Sequence, residues 1–80
     1  MPPTRAEVLL SIAHLFPNQD PVVIQSLLDA YGIESYERER QRVQIAILKL
    51  SDGSVDRLLD HIKAAKLDYR DVLLWAEYTS

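Results

Sequence analysis

The apolar residues of this chain recur with the 3.6-residue period of an α-helix in every informative segment, and no strand-like alternation competes with that period. Each segment is also bounded by residues that start or stop helices. We therefore predict an all-α fold, a compact single-domain bundle of about five short helices that uses residues 1–80. The predicted helices cover roughly residues 4–15, 20–31, 35–50, 54–66 and 68–78.

The helix boundaries rest on residues whose side chains or backbone favour helix ends. Thr4, Asp20, Ser54 and Asp68 each precede an apolar helical pattern and can accept a hydrogen bond from an unpaired N–H group of the first turn. Gly32 follows the second pattern and has the position of a left-handed residue after a helix. The sequence therefore predicts short connections between closely packed helices.

The third predicted helix has two unlike halves. Ser35 is its expected cap, residues 37–42 are polar on all sides, and residues 43–50 are apolar on most sides. A polar first half is expected to project into water or to line another chain. The apolar second half is expected to lie at the centre of the core.

The composition excludes several classes of protein. None of the 80 residues is cysteine, which excludes a disulfide scaffold, a thiolate metal site and a cysteine nucleophile. Lys and Arg total 9 against 12 Asp and Glu, and a net charge of −3 argues against nucleic-acid binding through a broad basic face. The longest apolar stretches, residues 8–16 and 43–50, fall short of the ~18–20 residues that span a bilayer. We therefore expect a cytoplasmic protein with no nucleic-acid or membrane partner.

Catalytic chemistry has little support in the sequence. His14 and His61 are the only histidines, and neither has a second metal ligand three or four residues away. We therefore predict a non-enzymatic protein and assign no catalytic residue, cofactor or metal ion. The alternative is a ligand-binding or enzymatic domain with a site assembled from His14, His61, Arg70 and Asp71. That alternative requires a concave pocket where at least two of these residues converge.

The C-terminal helix carries more apolar residues than one buried stripe needs. Leu74, Trp75 and Tyr78 remain on other faces once the core positions are filled, so Trp75 is either a core residue or part of an exposed interface patch. Arg70 is either a recognition group or a member of a local ion pair. The interface candidates are Tyr69, Arg70, Leu74, Trp75 and Tyr78, with Arg38, Arg40 and Arg42 as secondary candidates.

Two segments resemble known groups of proteins. The N-terminal half, with Leu15-Phe16-Pro17, Val23-Ile24, Leu27-Leu28 and Gly32, resembles the opening of the ubiquitin-binding CUE domain, one of the CUE/UBA-like helical domains. That resemblance implies a ubiquitin contact at Leu15, Phe16 and Pro17, although Lys49 separates Leu48 from Leu50 where the family has a di-leucine. The ending Asp68-Tyr69-Arg70-Asp71-Val72-Leu73 and Trp75-Ala76-Glu77-Tyr78 resembles that of short bacterial proteins with no assigned function, in which ubiquitin would be an irrelevant partner.

The sequence thus favours a small protein–protein interaction module in the cytoplasm. Its partner is a second protein or the chain itself, with a homodimer through the C-terminal helix as one form. The thin core of so short a chain and the surplus apolar residues of its last helix support this prediction. The CUE-like resemblance makes ubiquitin binding the remaining alternative.

Overall fold

The computed structural model describes residues 3–79, and within them the chain forms five α-helices and no strand. The helices are α1 (Arg5–Leu15), α2 (Pro21–Leu28), α3 (Arg40–Ser51), α4 (Val55–Leu67) and α5 (Tyr69–Thr79). They pack into a bundle of 31 × 25 × 24 Å. The prediction of an all-α compact bundle is confirmed.

The predicted N-caps hold the starts of four helices. In each case a side-chain oxygen accepts a hydrogen bond from a backbone N–H two or three residues later: Thr4 from Glu7, Asp20 from Val22, Ser54 from Arg57 and Asp68 from Arg70. A cap of this kind contributes about 1 kcal/mol to stability. Local sequence therefore determines where α1, α2, α4 and α5 begin.

Helix α3 lies at the centre and packs against α1, α4 and α5. Its second half supplies the fully buried side chains of Val43, Ile47 and Leu48, as its apolar sequence predicts. The other buried apolar side chains come from every helix and from the connections between them: Val8, Ile12, Phe16, Ile24, Leu28, Tyr31, Ala46, Leu58, Ile62, Ala65 and Val72. Full burial of one large aliphatic side chain contributes roughly 1.5–3 kcal/mol, so this cluster is the main source of stability.

The predicted bounds of α2 and α3 are wrong at the ends that face each other. Helix α2 ends at Leu28 and α3 begins at Arg40, so residues 29–31 and 35–39, which the sequence predicts to be helical, belong to a loop over residues 29–39. The loop folds back because the Glu37 carboxylate binds backbone N–H groups of its own segment. Glu39 then adopts φ +52°, a left-handed conformation that ends any helix arriving from Ser35.

Gly32 has the left-handed backbone that the sequence predicts, with φ +107°, but it lies inside this loop. A Cβ atom at this position would lie 2.6 Å from Cγ of Arg40, whose side chain crosses directly over the glycine. Glycine therefore provides both the backbone conformation and the room for Arg40.

Among residues 3–79 no helix combines the length and the apolar character that crossing a bilayer requires.

Candidate functional site

One side of α5 carries a group of exposed apolar side chains. The opposite side of this helix buries Val72 against the core, as the sequence predicts. On the solvent side the exposed fractions are 47% for Leu74, 43% for Trp75 and 82% for Tyr78. Residues three and four positions apart are neighbours on a helix, so these side chains form one continuous strip with Arg70 and Asp71 at its N-terminal end. We call these five residues the outer face of α5.

Trp75 lies at the edge of the outer face, next to α4. Its ring meets the His61 ring in an edge-on arrangement, with 6.4 Å between centroids and 64° between planes. Nδ1 of His61 is buried without a hydrogen-bond partner among the described residues. Trp75 is therefore held on one side by α4, and less than half of the residue is exposed to solvent. An aromatic side chain held in this way loses little conformational freedom when a partner binds.

Tyr69 and Arg70 have different surroundings, although the sequence groups them as interface candidates. Tyr69 is half-buried and packs against the core, so it does not belong to the outer face. Arg70 is exposed, and its Nε and Nη2 atoms donate to the two carboxylate oxygens of Asp68 at 3.0 and 3.1 Å. This hydrogen bonding lowers the pKa of Asp68. Arg70 thus forms a local ion pair, which is one of the two roles that the sequence offers for it.

The three arginines proposed as secondary interface residues do not form one surface. Arg40 Nη2 lies 3.2 Å from Asp29 Oδ1, and the Arg40 side chain covers Gly32. Arg42 Nη1 lies 2.9 Å from Glu39 Oε1, and Arg42 Nη2 lies 3.5 Å from Glu77 Oε1. The contact with Glu77 joins α3 to the end of α5. Arg38 is exposed, and its backbone oxygen accepts a hydrogen bond from the Tyr31 hydroxyl. The structure thus places Arg40 and Arg42 in partly exposed ion pairs with other residues of the same chain.

The polar segment that precedes α3 is not fully solvated, in contrast to the prediction from its sequence. The Glu37 side chain is 1% exposed. Its Oε1 accepts hydrogen bonds from the backbone N–H groups of Gly32, Ile33 and Glu34 at 2.9, 3.0 and 3.1 Å. Its Oε2 accepts one from Lys66 Nζ at 2.8 Å, and Lys66 also donates to the backbone oxygen of Ala30. The Glu37–Lys66 pair therefore fastens the 29–39 loop to α4.

A second polar cluster fixes the other end of this loop. Arg5 on α1 donates to both carboxylate oxygens of Asp29 at 2.8 Å. The fully buried Gln44 donates to the backbone oxygens of Leu28 and Tyr31 and accepts a hydrogen bond from Arg5. One backbone oxygen at the end of α2 and one three residues later thus find their donor in a side chain of α3. The cluster holds α1, α2 and α3 in a single arrangement.

Two carboxylates, the buried one of Glu37 and the partly exposed one of Asp29, predict how stability depends on pH. Burial alone would raise the pKa of Glu37, but hydrogen bonds from Lys66 and from the backbone of Glu34 and Gly32 hold it below the ordinary value of 4.5. The Arg5 hydrogen bond likewise lowers the pKa of Asp29. Each folded-state pKa lies below its unfolded value, so the unfolded chain binds protons first as the pH falls.

We therefore expect the free energy of unfolding to reach its full value above pH 4.5 and to fall as the pH drops through and below that value. Urea titrations between about pH 7 and pH 3 measure this dependence. The Glu37→Gln variant removes one of the two groups, so its stability should fall less steeply with pH than that of the unmodified chain. An equal slope for the two proteins would contradict the role given to Glu37.

A cavity of about 230 Å³ lies beside the Glu37–Lys66 pair, at the junction of α4 and α5. Tyr36, Glu37, Ala65, Lys66, Leu67, Asp68, Tyr69 and Arg70 line it. A second groove of about 230 Å³ lies between α3 and α5. Its apolar wall includes Ile45 and Leu73, and Arg42, Lys49 and Glu77 stand at its edge. These two concave surfaces are where a site assembled from distant residues would be expected.

The residues of the enzymatic alternative do not converge in either concave surface. Of His14, His61, Arg70 and Asp71, only Arg70 lines one of them. His14 is exposed near the end of α1, and His61 packs on Trp75. Among the described residues no three His, Cys, Asp or Glu side chains lie in a group that could hold a metal ion. Within the described part of the chain, the four residues of this alternative thus do not surround a common point.

The residues that carry the CUE resemblance are divided between the core and the surface. Phe16, Ile24 and Leu28 are buried, whereas Pro17 and Val23 are exposed. Comparison of the chain with protein families, with curated proteins and with solved structures finds no match. The surfaces described above are therefore the features that point to a function.

Proposed function

We propose that the chain is a non-enzymatic protein–protein interaction module that pairs with a second copy of itself through the outer face of α5. One observation carries the proposal: Leu74, Trp75 and Tyr78 are exposed together on one side of a single helix whose other side is buried. Contiguous exposed apolar residues mark interaction surfaces, and tryptophan and tyrosine are the commonest anchors in them. The cysteine-free composition favours the cytoplasm as the place where the module works.

The outer face is complementary to itself in an antiparallel arrangement. Leu74 is the central residue of α5, which runs from Tyr69 to Thr79. A two-fold axis beside Leu74 therefore brings Arg70 and Asp71 of one protomer to Tyr78 of the other, and the same contact occurs twice. A guanidinium group stacks favourably on a tyrosine ring, and a carboxylate accepts a hydrogen bond from a tyrosine hydroxyl. Both ends of the face thus have a suitable partner.

The size of the face sets the expected strength of pairing. Large aromatic side chains bury about 150–250 Å² each when fully covered, so these partly exposed residues contribute roughly 300–400 Å² per protomer. The two protomers together would bury roughly 600–800 Å², which is below the ~1,200–2,000 Å² of stable specific interfaces and in the range of weak, transient pairs. We expect a dissociation constant on the order of 10–100 µM, which corresponds to a dimer that forms and separates readily.

Substitution of Leu74 tests which face carries the contact. In the unmodified chain, dilution from about 500 to about 20 µM should shift the backbone amide signals of the outer face, because the dimer dissociates over this range. Leu74→Asp should abolish these shifts, since each protomer would place a carboxylate at the two-fold axis against its own copy. NMR spectra of both proteins at several concentrations provide the measurement.

Leu10→Asp is the matched control, because Leu10 is also an exposed leucine but lies on α1. It should leave the dilution shifts unchanged. If the shifts occur on α1 instead, or if Leu10→Asp removes them and Leu74→Asp does not, the outer face of α5 is not the contact surface.

A further inference from the structure

The cavity at the junction of α4 and α5 shares only Arg70 with the outer face. The Glu37–Lys66 pair forms its polar floor, and Tyr36 and Tyr69 form parts of its wall. Leu67 stands at its edge with 85% of its surface exposed. The loop folds onto α4 through the Glu37–Lys66 contact, and this contact brings Tyr36 to α4 and α5.

The hydrogen-bond acceptors around this cavity are already in use. Glu37 Oε1 accepts three backbone N–H groups and Oε2 accepts the Lys66 ammonium. Asp68 Oδ1 accepts from the backbone and Nε of Arg70, and Oδ2 accepts from Nη2. A cationic or donor-rich ligand would have to displace these bonds. The filled carboxylates therefore disfavour a cation in the cavity.

Hydrogen-bond donors, in contrast, remain unused. An ammonium group has three N–H donors, and Lys66 uses two of them, for Ala30 and Glu37. A guanidinium group has five, and Arg70 uses its Nε–H and one Nη2–H within the described chain. The Tyr36 and Tyr69 hydroxyls make no hydrogen bond to any described residue. The groups available to a ligand are thus donors from four neighbouring side chains.

The size and charge of the cavity limit the ligand further. A volume of about 230 Å³ is smaller than the 300–1,000 Å³ typical of pockets for cofactors and drug-sized molecules, so it suits one side chain or chain end. The formal charges of Glu37, Asp68, Lys66 and Arg70 cancel, which disfavours a doubly charged phosphate. A singly charged carboxylate meets the donors without such a charge imbalance.

We propose that this cavity binds a peptide carboxylate, with Lys66 and Arg70 as the charged donors and the exposed Leu67 and Tyr36 packing on the chain that carries it. The carboxylate comes either from an acidic side chain or from a peptide C-terminus, since both present the same group. This inference does not depend on pairing through α5.

NMR titration with short peptides tests the proposal and separates the two sources. The probes are acetyl-glutamate amide, which carries only a side-chain carboxylate, and acetyl-glycyl-glycine, which carries only a terminal one. Acetyl-glutamine amide is the neutral control. At least one acidic probe should cause saturable shifts of the amide signals of residues 66–70 and 36, and the neutral probe should not. No saturable shift with either acid, or equal shifts with the neutral probe, would overturn the proposal.

Two variants complete the test. Arg70→Gln should weaken binding of the acidic probe about tenfold, because one charge-assisted hydrogen bond is lost. Arg57→Gln changes an exposed arginine of α4 that does not line the cavity, and it should leave the affinity unchanged. Equal affinities for the Arg70→Gln and unmodified proteins would contradict the assigned site. Leu74→Asp should retain probe binding, so failure of α5 pairing and failure of this inference are distinguishable.

Discussion

Replacement of Glu37 by alanine should lower the free energy of unfolding by about 3 kcal/mol. The substitution leaves three backbone N–H groups and the Lys66 ammonium without their acceptor. Loss of one member of a buried pair typically costs ~3–5 kcal/mol, and we expect the low end because 38% of the Lys66 side chain is exposed to solvent. Domains of this length have a total stability of roughly 4–12 kcal/mol, so much of it would be lost.

Urea unfolding followed by circular dichroism measures this change, and Glu34→Ala is the control. Glu34 lies three residues before Glu37 in the same loop, and its side chain is exposed. Its removal should change stability by less than about 0.5 kcal/mol, as is usual for surface substitutions. If the two variants were equally stable, Glu37 would not hold the loop on α4.

Replacement of Gln44 by leucine should have the second largest effect, a loss of about 2–3 kcal/mol. Leucine has a similar volume and fits an apolar core, so packing alone favours it. The cost comes from the backbone oxygens of Leu28 and Tyr31, which lose their buried donor, and from the Arg5 guanidinium, which loses an acceptor. Each unsatisfied buried group costs about 1–3 kcal/mol, which exceeds the gain from removing a polar side chain.

Gln41→Leu provides the comparison for this substitution within the same helix. Gln41 is only half-buried and makes no side-chain hydrogen bond to a described residue. The same chemical change there should be nearly neutral in urea unfolding. A Gln44→Leu variant as stable as the unmodified chain would show that the cluster of Arg5, Asp29 and Gln44 contributes no net stability.

The sequence predicts a structural feature correctly when the residues that cause the feature lie close together in the chain. Caps act within three residues, so Thr4, Asp20 and Ser54 indicate the starts of their helices directly. The loop before α3 depends on Glu37, whose partner Lys66 lies 29 residues further along the chain. No helical period contains that information. Gly32 is the one residue whose type indicates this loop in the sequence. Its left-handed backbone allows the turn whose N–H groups donate to the Glu37 carboxylate, five positions later.

The exposure of surface residues is likewise only partly predictable from the sequence. Helical spacing identifies Leu74, Trp75 and Tyr78 as surplus to the core stripe, but it leaves Trp75 equally suited to the interior. Its half-exposed position depends on where α4 places His61, and the sequence does not specify that tertiary contact. The cavity at the α4–α5 junction is still less predictable, because Tyr36 reaches it only through the folded loop.

Sedimentation equilibrium of the unmodified chain tests the central claim, pairing through α5, most directly. At concentrations below about 1 µM the mass should approach the 9.2 kDa of one chain. Towards about 1 mM it should approach twice that value, and the Leu74→Asp variant should keep the single-chain mass at every concentration. A single-chain mass for the unmodified protein throughout this range, or a dimer that Leu74→Asp leaves intact, would contradict the account.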